Sequence, residues 1–215
     1  MNGADKSAPK DSIARDVSIL VVITLVAGML LGAAYSVTKG PIAQAQARAK
    51  EAAQQAVMQT ADAFEPLTGQ EDQAASDGEN SIANTSVEQI DLALDGSGKT
   101  VGYVVTAVNS EGYGGEIEMM CGIAPAEDGA LRIEGISFLT LTETAGMGMR
   151  AKDEDFTQQF AGKVIRPGEQ LQYTKDGASA ENEIDAISGC TITTASVTKN
   201  VNAALEAVRA ALETD

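Results

Sequence analysis

The strongest hydrophobic pattern in the chain is an uncharged apolar segment near its beginning, residues 17–35. A helix of that length rises roughly 28 Å, close to the ~30 Å hydrocarbon core of a bilayer, so the pattern predicts a transmembrane helix. A cleaved signal peptide is the competing interpretation, because Gly32-Ala33-Ala34 offers a cleavage site of small residues. We favour the uncleaved anchor, since a signal-peptide core usually has only about 7–15 apolar residues.

Polar segments lie on both sides of this span. Residues 1–16 are polar and mixed in charge, which predicts a short tail without regular structure. Residues 36–64 predict a helical stalk, because alanine, glutamine, glutamate and lysine dominate after Pro41, which suits the first turn of a helix. Residues 65–85 are acidic and rich in small polar residues, a composition typical of a loop.

A strand-like pattern then replaces the helical one in the domain predicted for residues 86–215. Three short apolar runs separated by glycine-rich turns predict strands: residues 99–108, 116–123 and 131–139. Phe156 and Phe160 form the apolar face of a short helix. A stripe of valine, leucine and alanine predicts a last helix over residues 194–212. The predicted fold class is therefore α+β, with antiparallel strands and helices behind a single N-terminal transmembrane helix.

The composition excludes several kinds of site. The chain has no histidine, and its two cysteines, Cys121 and Cys190, are far apart in sequence. Histidine-ligated haem is therefore excluded, and we expect no iron–sulfur cluster, zinc site or other metal centre on this chain. We expect both cysteines to be small buried residues, and a disulfide between them stays open. Any redox chemistry must come from an imported cofactor.

The charge distribution limits the partners and the orientation. A formal net charge of -16 argues against nucleic-acid binding, because phosphate recognition needs a basic face. Basic residues flank the apolar span on both sides, so the positive-inside rule does not orient it. We expect the simpler arrangement, with the N-terminus in the cytoplasm and the acidic domain outside the cell (inner) membrane.

Candidate chemistry is concentrated in the segment before the last helix, Asp185-Ala186-Ile187-Ser188-Gly189-Cys190-Thr191. A helix start presents free backbone N–H groups and the positive end of a dipole, so it suits a phosphate. Gly189 permits a close approach of the backbone to a ligand. An ordinary serine or threonine cap for the helix explains the same hydroxyl cluster, and the residues by themselves leave both interpretations open.

The segment resembles the covalent-flavin attachment motif, Asp-x-x-(Ser/Thr)-Gly-Ala-Thr, of the FMN-binding domain. That domain occurs in the G subunit of the Rnf electron-transport complex and the C subunit of the sodium-pumping NADH:quinone reductase. The matching positions are Asp185, Ser188, Gly189 and Thr191. Cys190 stands where the family usually has alanine. The resemblance implies that a flavin transferase joins the FMN phosphate to Thr191 as a phosphoester, while Thr193 and Thr194 lie outside the motif.

Further motifs with the same resemblance follow the family's order along the chain. Residues 143–148 are similar to a Glu-Thr-Pro-Gly-Leu-Gly loop, with Ala145 in place of proline and Met147 in place of leucine. Residues 156–163 and 112–117 are similar to the family's Phe-x-x-Gln-Phe-x-Gly-Lys and Gly-Tyr-Gly-Gly segments. The resemblance therefore implies a cofactor site that also includes the following residues: Glu143, Thr144, Gly146, Met147, Gly148 and Cys190.

The resemblance implies an electron-carrier subunit of a membrane-bound, ion-translocating ferredoxin:NAD oxidoreductase, with other membrane subunits as partners. The chain would be part of an enzyme without a catalytic residue of its own, because the flavin supplies the chemistry. Two alternatives remain. One is the C subunit of the sodium-translocating quinone reductase, and the other is a membrane-anchored binding module without a cofactor.

Overall fold

The computed structural model describes residues 10–67, 82 and 84–214. Residues 1–9 of the predicted tail and most of the predicted acidic loop lie outside the described residues. Contacts divide the chain into two units, residues 1–48 and 49–215. The described residues of the first unit, 10–48, belong to one long helix, and the described residues of the second form a folded α+β domain.

Helix α1 (Lys10–Val57) contains the predicted transmembrane segment. Within the described part of the chain it is the one helix long and apolar enough to cross a membrane, with a mean hydropathy of 2.6 in its most apolar window. None of the window is buried against other described residues, and its apolar side chains suit a lipid environment. The hydroxyls of Ser18 and Thr24 donate to carbonyl groups of the preceding turn, which satisfies both of them inside the helix.

The later part of α1 differs from the prediction in two respects. Pro41 lies inside the helix and not at its first turn, because good helix formers continue the helix after it and only one N–H is missing. The helix ends at Val57, so the helical stalk predicted over residues 36–64 is too long. Ala63–Pro66 instead forms a strand, since pairing with a neighbouring strand outweighs the local helix propensity.

The second unit is built on a six-stranded antiparallel sheet whose spatial order is the order of the strands in the chain. The strands are β1 (Ala63–Pro66), β2 (Thr85–Leu94), β3 (Thr100–Asn109), β4 (Ile117–Pro125), β5 (Leu131–Leu141) and β6 (Val164–Ile165). The described residues also form two short 3-10 helices (Glu127–Gly129 and Gly148–Lys152), the short helix α2 (Glu154–Thr157), the parallel pair β7 (Gln172–Thr174) and β8 (Glu183–Asp185), and the long helix α3 (Thr191–Thr214). The predicted α+β class is confirmed.

The three predicted strands are β3, β4 and β5, the middle and most apolar part of the sheet. Strand β2 was not predicted. Its polar residues interrupt the apolar alternation, and a register shift between Val87 and Gln89 changes which face each side chain takes. Helix α3 begins at Thr191 and not at residue 194, because the hydrophobic stripe alone does not include the polar first turn.

Both faces of the sheet are covered, as strand β4 shows. Met119, Cys121 and Ile123 belong to a large core that the sheet shares with α3. Met120, which lies between them in sequence, belongs to a smaller cluster on the opposite face. That cluster contains the end of α1: Ala53, Val57 and Met58. The alternation of a strand thus predicts which residue meets which helix.

Gly122 in β4 is the point of closest approach between the end of α1 and the sheet. A Cβ atom at this position would lie 2.1 Å from the backbone oxygen of Val57. Gly135, its partner in β5, would place a Cβ atom 3.6 Å from the Val57 Cα atom, an ordinary contact. The helix end therefore rests on the backbone of two paired glycines, and only the first of them has no room for a side chain.

Gly122→Ala is expected to lower the free energy of unfolding by about 1–3 kcal/mol, the usual cost of an overpacked core. Gly135→Ala is the matched control and is expected to change it by less than about 1 kcal/mol. Urea unfolding of the detergent-solubilised chain, followed by the near-ultraviolet circular dichroism of its tyrosines, measures both. Equal effects of the two substitutions would show that the helix end does not press on Gly122.

The two cysteines are free and buried, so the disulfide left open by the sequence does not form. Both belong to the core beneath α3. Burial raises the pKa of the Cys121 thiol to about 12, which keeps it protonated at physiological pH. Because the thiolate is the reactive form of cysteine, Cys121 is a chemically inert core residue.

Cys121 is expected to resist alkylation by iodoacetamide at pH 8.5 in the native protein and to react fully in denaturant. The raised pKa leaves almost no thiolate at that pH, and burial excludes the reagent. Mass spectrometry of a Cys190→Ala protein isolates the Cys121 signal. Rapid native alkylation of Cys121 would contradict the burial described here.

Candidate functional site

A cavity of about 270 Å3 opens beside the start of α3. Three segments form it: the turn after β3, the loop after β5, and the turn that leads into α3. Its lining residues are Tyr113, Glu143, Thr144, Met147, Gly148, Gly189, Cys190, Thr191, Ile192 and Thr193. The volume is near the lower end of the ~300–1,000 Å3 range of small-molecule sites, enough for part of a flat ligand.

Glu143 joins the three segments through its carboxylate. The backbone N–H groups of Tyr113 and Gly114 donate to it at 2.9 and 3.2 Å. The hydroxyl of Thr193 in α3 donates to Oε1 at 3.1 Å. Glu143 is only 8% exposed, so these hydrogen bonds replace most of the water that a free carboxylate would bind.

Two glycines make room for Glu143, Gly148 for its side chain and Gly114 for the backbone of its loop. A Cβ atom on Gly148 would lie 2.6 Å from Glu143 Oε2, and one on Gly114 would lie 2.3 Å from the Thr142 carbonyl oxygen. Neither position therefore accepts a side chain without movement of the loop. The glycines of the 112–115 and 143–148 segments are thus part of the same arrangement as the glutamate.

The turn into α3 depends on a left-handed residue. Gly189 has φ +79°, a conformation that glycine adopts without strain. The Cys190 N–H donates to the Ile187 carbonyl at 2.9 Å and closes the turn. The Thr194 hydroxyl accepts from the Ile187 N–H and donates to the Cys190 carbonyl, which fixes the turn against the helix.

The hydroxyl groups near the helix start differ in their availability. Thr193 and Thr194 are 1% and 0% exposed, and both hydroxyls are already hydrogen bonded. Thr191 is half-buried, lines the cavity, and its hydroxyl has no partner among the residues that the structure describes. Thr191 therefore offers a hydroxyl that is both accessible and located at the cavity.

The first turn of α3 also presents unused backbone donors. The first helical N–H with a backbone acceptor is that of Thr194, which bonds to the Cys190 carbonyl at 3.0 Å. In the described residues no side chain accepts from the N–H groups of Thr191, Ile192 and Thr193, and the residue before the helix, Cys190, has no side-chain oxygen. The ordinary serine or threonine cap is therefore not what this turn forms. Its free donors and the helix dipole favour an anion.

Asp185 and Ser188 line a different cavity, of about 240 Å3, on the other side of the same turn. The Asp185 carboxylate accepts from the Ala178 N–H at 2.6 Å. Gln159 holds the backbone of Asp185 from both sides, since its side-chain oxygen accepts from the Asp185 N–H and its amide donates to the Asp185 carbonyl. These residues fix the beginning of the turn and do not face the Thr191 cavity.

Comparison with known proteins places this site in a family. The FMN-binding domain family matches residues 112–206, which include all three segments of the cavity. The G subunit of the proton-translocating ferredoxin:NAD(+) oxidoreductase complex of Clostridium ljungdahlii is 30% identical, over 94% of this chain and 95% of that protein. The G subunit of the Na(+)-translocating complex of Acetobacterium woodii is 33% identical, over 87% of each chain.

The chain belongs to the family of G subunits of ion-translocating oxidoreductase complexes. The two relatives show the family, because they match 94% and 87% of this chain. The crystal structure of NqrC from Shewanella oneidensis is also similar, with 23% identity, a TM-score of 0.45 and coverage of 53% of each chain.

The fold brings most of the predicted site residues to one cavity. Those that line it are Glu143, Thr144, Met147, Gly148, Gly189, Cys190 and Thr191. Gly146 does not line the cavity, but its φ of +75° shapes the loop that does. Asp185 and Ser188 lie at the neighbouring cavity. Whether each residue contacts a cofactor stays a prediction.

Three lining residues were not predicted: Tyr113, Ile192 and Thr193. Tyr113 and Ile192 are 71% and 52% exposed, so both present side-chain surface at the cavity. Tyr113 lies in the glycine-rich turn that carries part of the family resemblance, so the sequence motif could have identified it as a site residue. Nothing in the helical pattern separates Ile192 or Thr193 from other residues of a first turn.

Proposed function

We propose that this protein carries electrons through FMN joined by a phosphoester to Thr191. The observation that carries the proposal is the Thr191 hydroxyl, which is accessible, has no partner among the described residues and lies at the cavity. Thr193 and Thr194 are buried and engaged, so they are poor substitutes. The match to the FMN-binding domain family supports the choice of cofactor.

The residues at the cavity fit such a group. The unused N–H groups of the first turn of α3 suit a phosphodiester, which keeps one negative charge after the bond to Thr191 has formed. Tyr113, Met147 and Ile192 offer exposed apolar surface to a flat ring system. Gly189 leaves the approach open, since a Cβ atom at that position would meet no atom within 4 Å.

The chemistry belongs to the cofactor, and the protein holds it. FMN, when bound, accepts and releases electrons. Thr191 would tether it, the first turn of α3 would stabilise its phosphate, and the loop after β5 would line one side of the ring. No residue is needed as a catalytic acid, base or nucleophile toward a substrate.

Attachment requires a flavin transferase, and the structure suits its access. Asp185, Ser188 and Gly189 are exposed, so the first part of the motif is open to a second protein. Gln159 and Thr194 hold this exposed turn in one conformation. We propose that Asp185 and Ser188 serve recognition by the transferase, while Thr191 receives the flavin.

The chain would act within a membrane-bound ferredoxin:NAD oxidoreductase of the Rnf type, with other membrane subunits as partners. The relatives that cover nearly the whole chain are G subunits of such complexes, which favours this complex over the quinone reductase. We further propose that α1 crosses the membrane once, with the N-terminus in the cytoplasm and the folded unit outside. A cofactor-free module would leave the Thr191 hydroxyl and the free helix donors without a role.

Thr191→Ala is expected to abolish covalent flavin, because alanine has no hydroxyl to esterify. The full chain is co-expressed with a flavin transferase, and in-gel fluorescence is read after denaturing electrophoresis. Thr191→Ser should retain at least part of the signal. Thr142→Ala should retain all of it, since Thr142 is an exposed hydroxyl residue near the cavity that neither lines it nor belongs to the motif.

Two outcomes would contradict the proposal. A Thr191→Ala protein as fluorescent as the wild type would remove Thr191 as the attachment site. A wild-type protein that never acquires a covalent chromophore beside an active transferase would favour the cofactor-free module.

A further inference from the structure

Among the described residues that line the cavity, Glu143 is the one carboxylate and none is a lysine or an arginine. Its hydrogen-bond partners are two backbone N–H groups and one hydroxyl. All three donate to it, which is the pattern that satisfies an ionised carboxylate. The cavity therefore contains a fixed negative charge that no basic side chain of the lining neutralises.

Two ion pairs lie in the segments next to the cavity, and none of their four residues lines it. In the turn after β3, Glu111 is paired with Lys199 of α3. Arg150 follows the loop after β5, and its Nε lies 4.0 Å from Asp153 Oδ2. Arg150 lines the neighbouring cavity, the one beside Asp185. The remaining positive contribution comes from the first turn of α3, whose donors we assigned to the phosphate. Glu143 itself is largely shielded from solvent, so its field is weakly screened.

We infer that Glu143 lowers the reduction potential of the site, in addition to holding its three segments together. The inference rests on the proposed function. Each electron delivered by a one-electron protein donor, which is itself oxidised, adds one negative charge to the cavity. Repulsion from the Glu143 carboxylate opposes that charge until a proton from solvent compensates it. With a lower reduction potential, the reduced site passes its electron to the next carrier more readily than it would without the Glu143 charge.

The test is a potentiometric titration of the flavinylated, detergent-solubilised full chain. Glu143→Gln removes the charge and retains the size and one acceptor oxygen. We expect the midpoint potential to become more positive by at least about 59 mV, which corresponds to a tenfold change in the one-electron equilibrium constant. Thr193→Val is the matched control, because it removes one donor to the same carboxylate and leaves the charge. It is expected to shift the potential far less.

A second pair of variants tests the same inference if Glu143→Gln does not fold or is not flavinylated. Met147 is 49% exposed and lines the same cavity, so Met147→Lys introduces an opposite charge with little burial. We expect the potential of Met147→Lys to be more positive than that of Met147→Gln, because both replace the same side chain with a polar one and only lysine adds a charge. These variants keep Glu143 in place and report the sensitivity of the cavity to charge.

The outcomes separate this inference from the proposed function. An unchanged potential in Glu143→Gln, or a shift no larger than that of Thr193→Val, would overturn the inference and leave the flavin assignment intact. Equal potentials in Met147→Lys and Met147→Gln would overturn it as well. A wild-type chain without covalent flavin would instead overturn the proposed function.

Discussion

The site depends on one interaction, the acceptance of three hydrogen bonds by the buried carboxylate of Glu143. Its donors come from the turn after β3 and from the first turn of α3, while the glutamate itself belongs to the loop after β5. These segments are distant in sequence. Loss of the carboxylate would leave the buried Thr193 hydroxyl without this acceptor, which is costlier than the loss of the bond alone.

The fold supplies the frame that makes this interaction possible. Helix α3 is fixed to the sheet by an apolar stripe and by Asn200, whose side-chain amide donates to the Ile117 carbonyl at the start of β4. Asn202 bonds to both the N–H and the carbonyl of Leu171. The helix start is therefore held at the end of the sheet where the turns after β3 and β5 emerge. On the other face, the end of α1 packs on Gly122, which leaves the α3 face free for the site.

Much of this organisation is predictable from sequence because the relevant forces are local. An uncharged apolar run predicts the membrane span, alternation predicts the three central strands, and a short motif predicts the Thr191 turn. Strand β2 escapes prediction because its partners, not its own composition, stabilise it. The sequence also does not predict that Asp185 and Ser188 line a different cavity from Thr191. Residues of one short motif face opposite sides of a turn whose direction is set by Gly189 and by Gln159, far away in sequence.

A crystal structure of the chain after flavinylation tests the central claim most directly. We expect a phosphorus atom bonded to Thr191 Oγ1 and an isoalloxazine ring in the cavity between Tyr113, Met147 and the loop that begins at Glu143. We also expect the three hydrogen bonds to Glu143 to persist. A phosphate on another hydroxyl, or a ring bound in the neighbouring cavity beside Asp185, would contradict the claim.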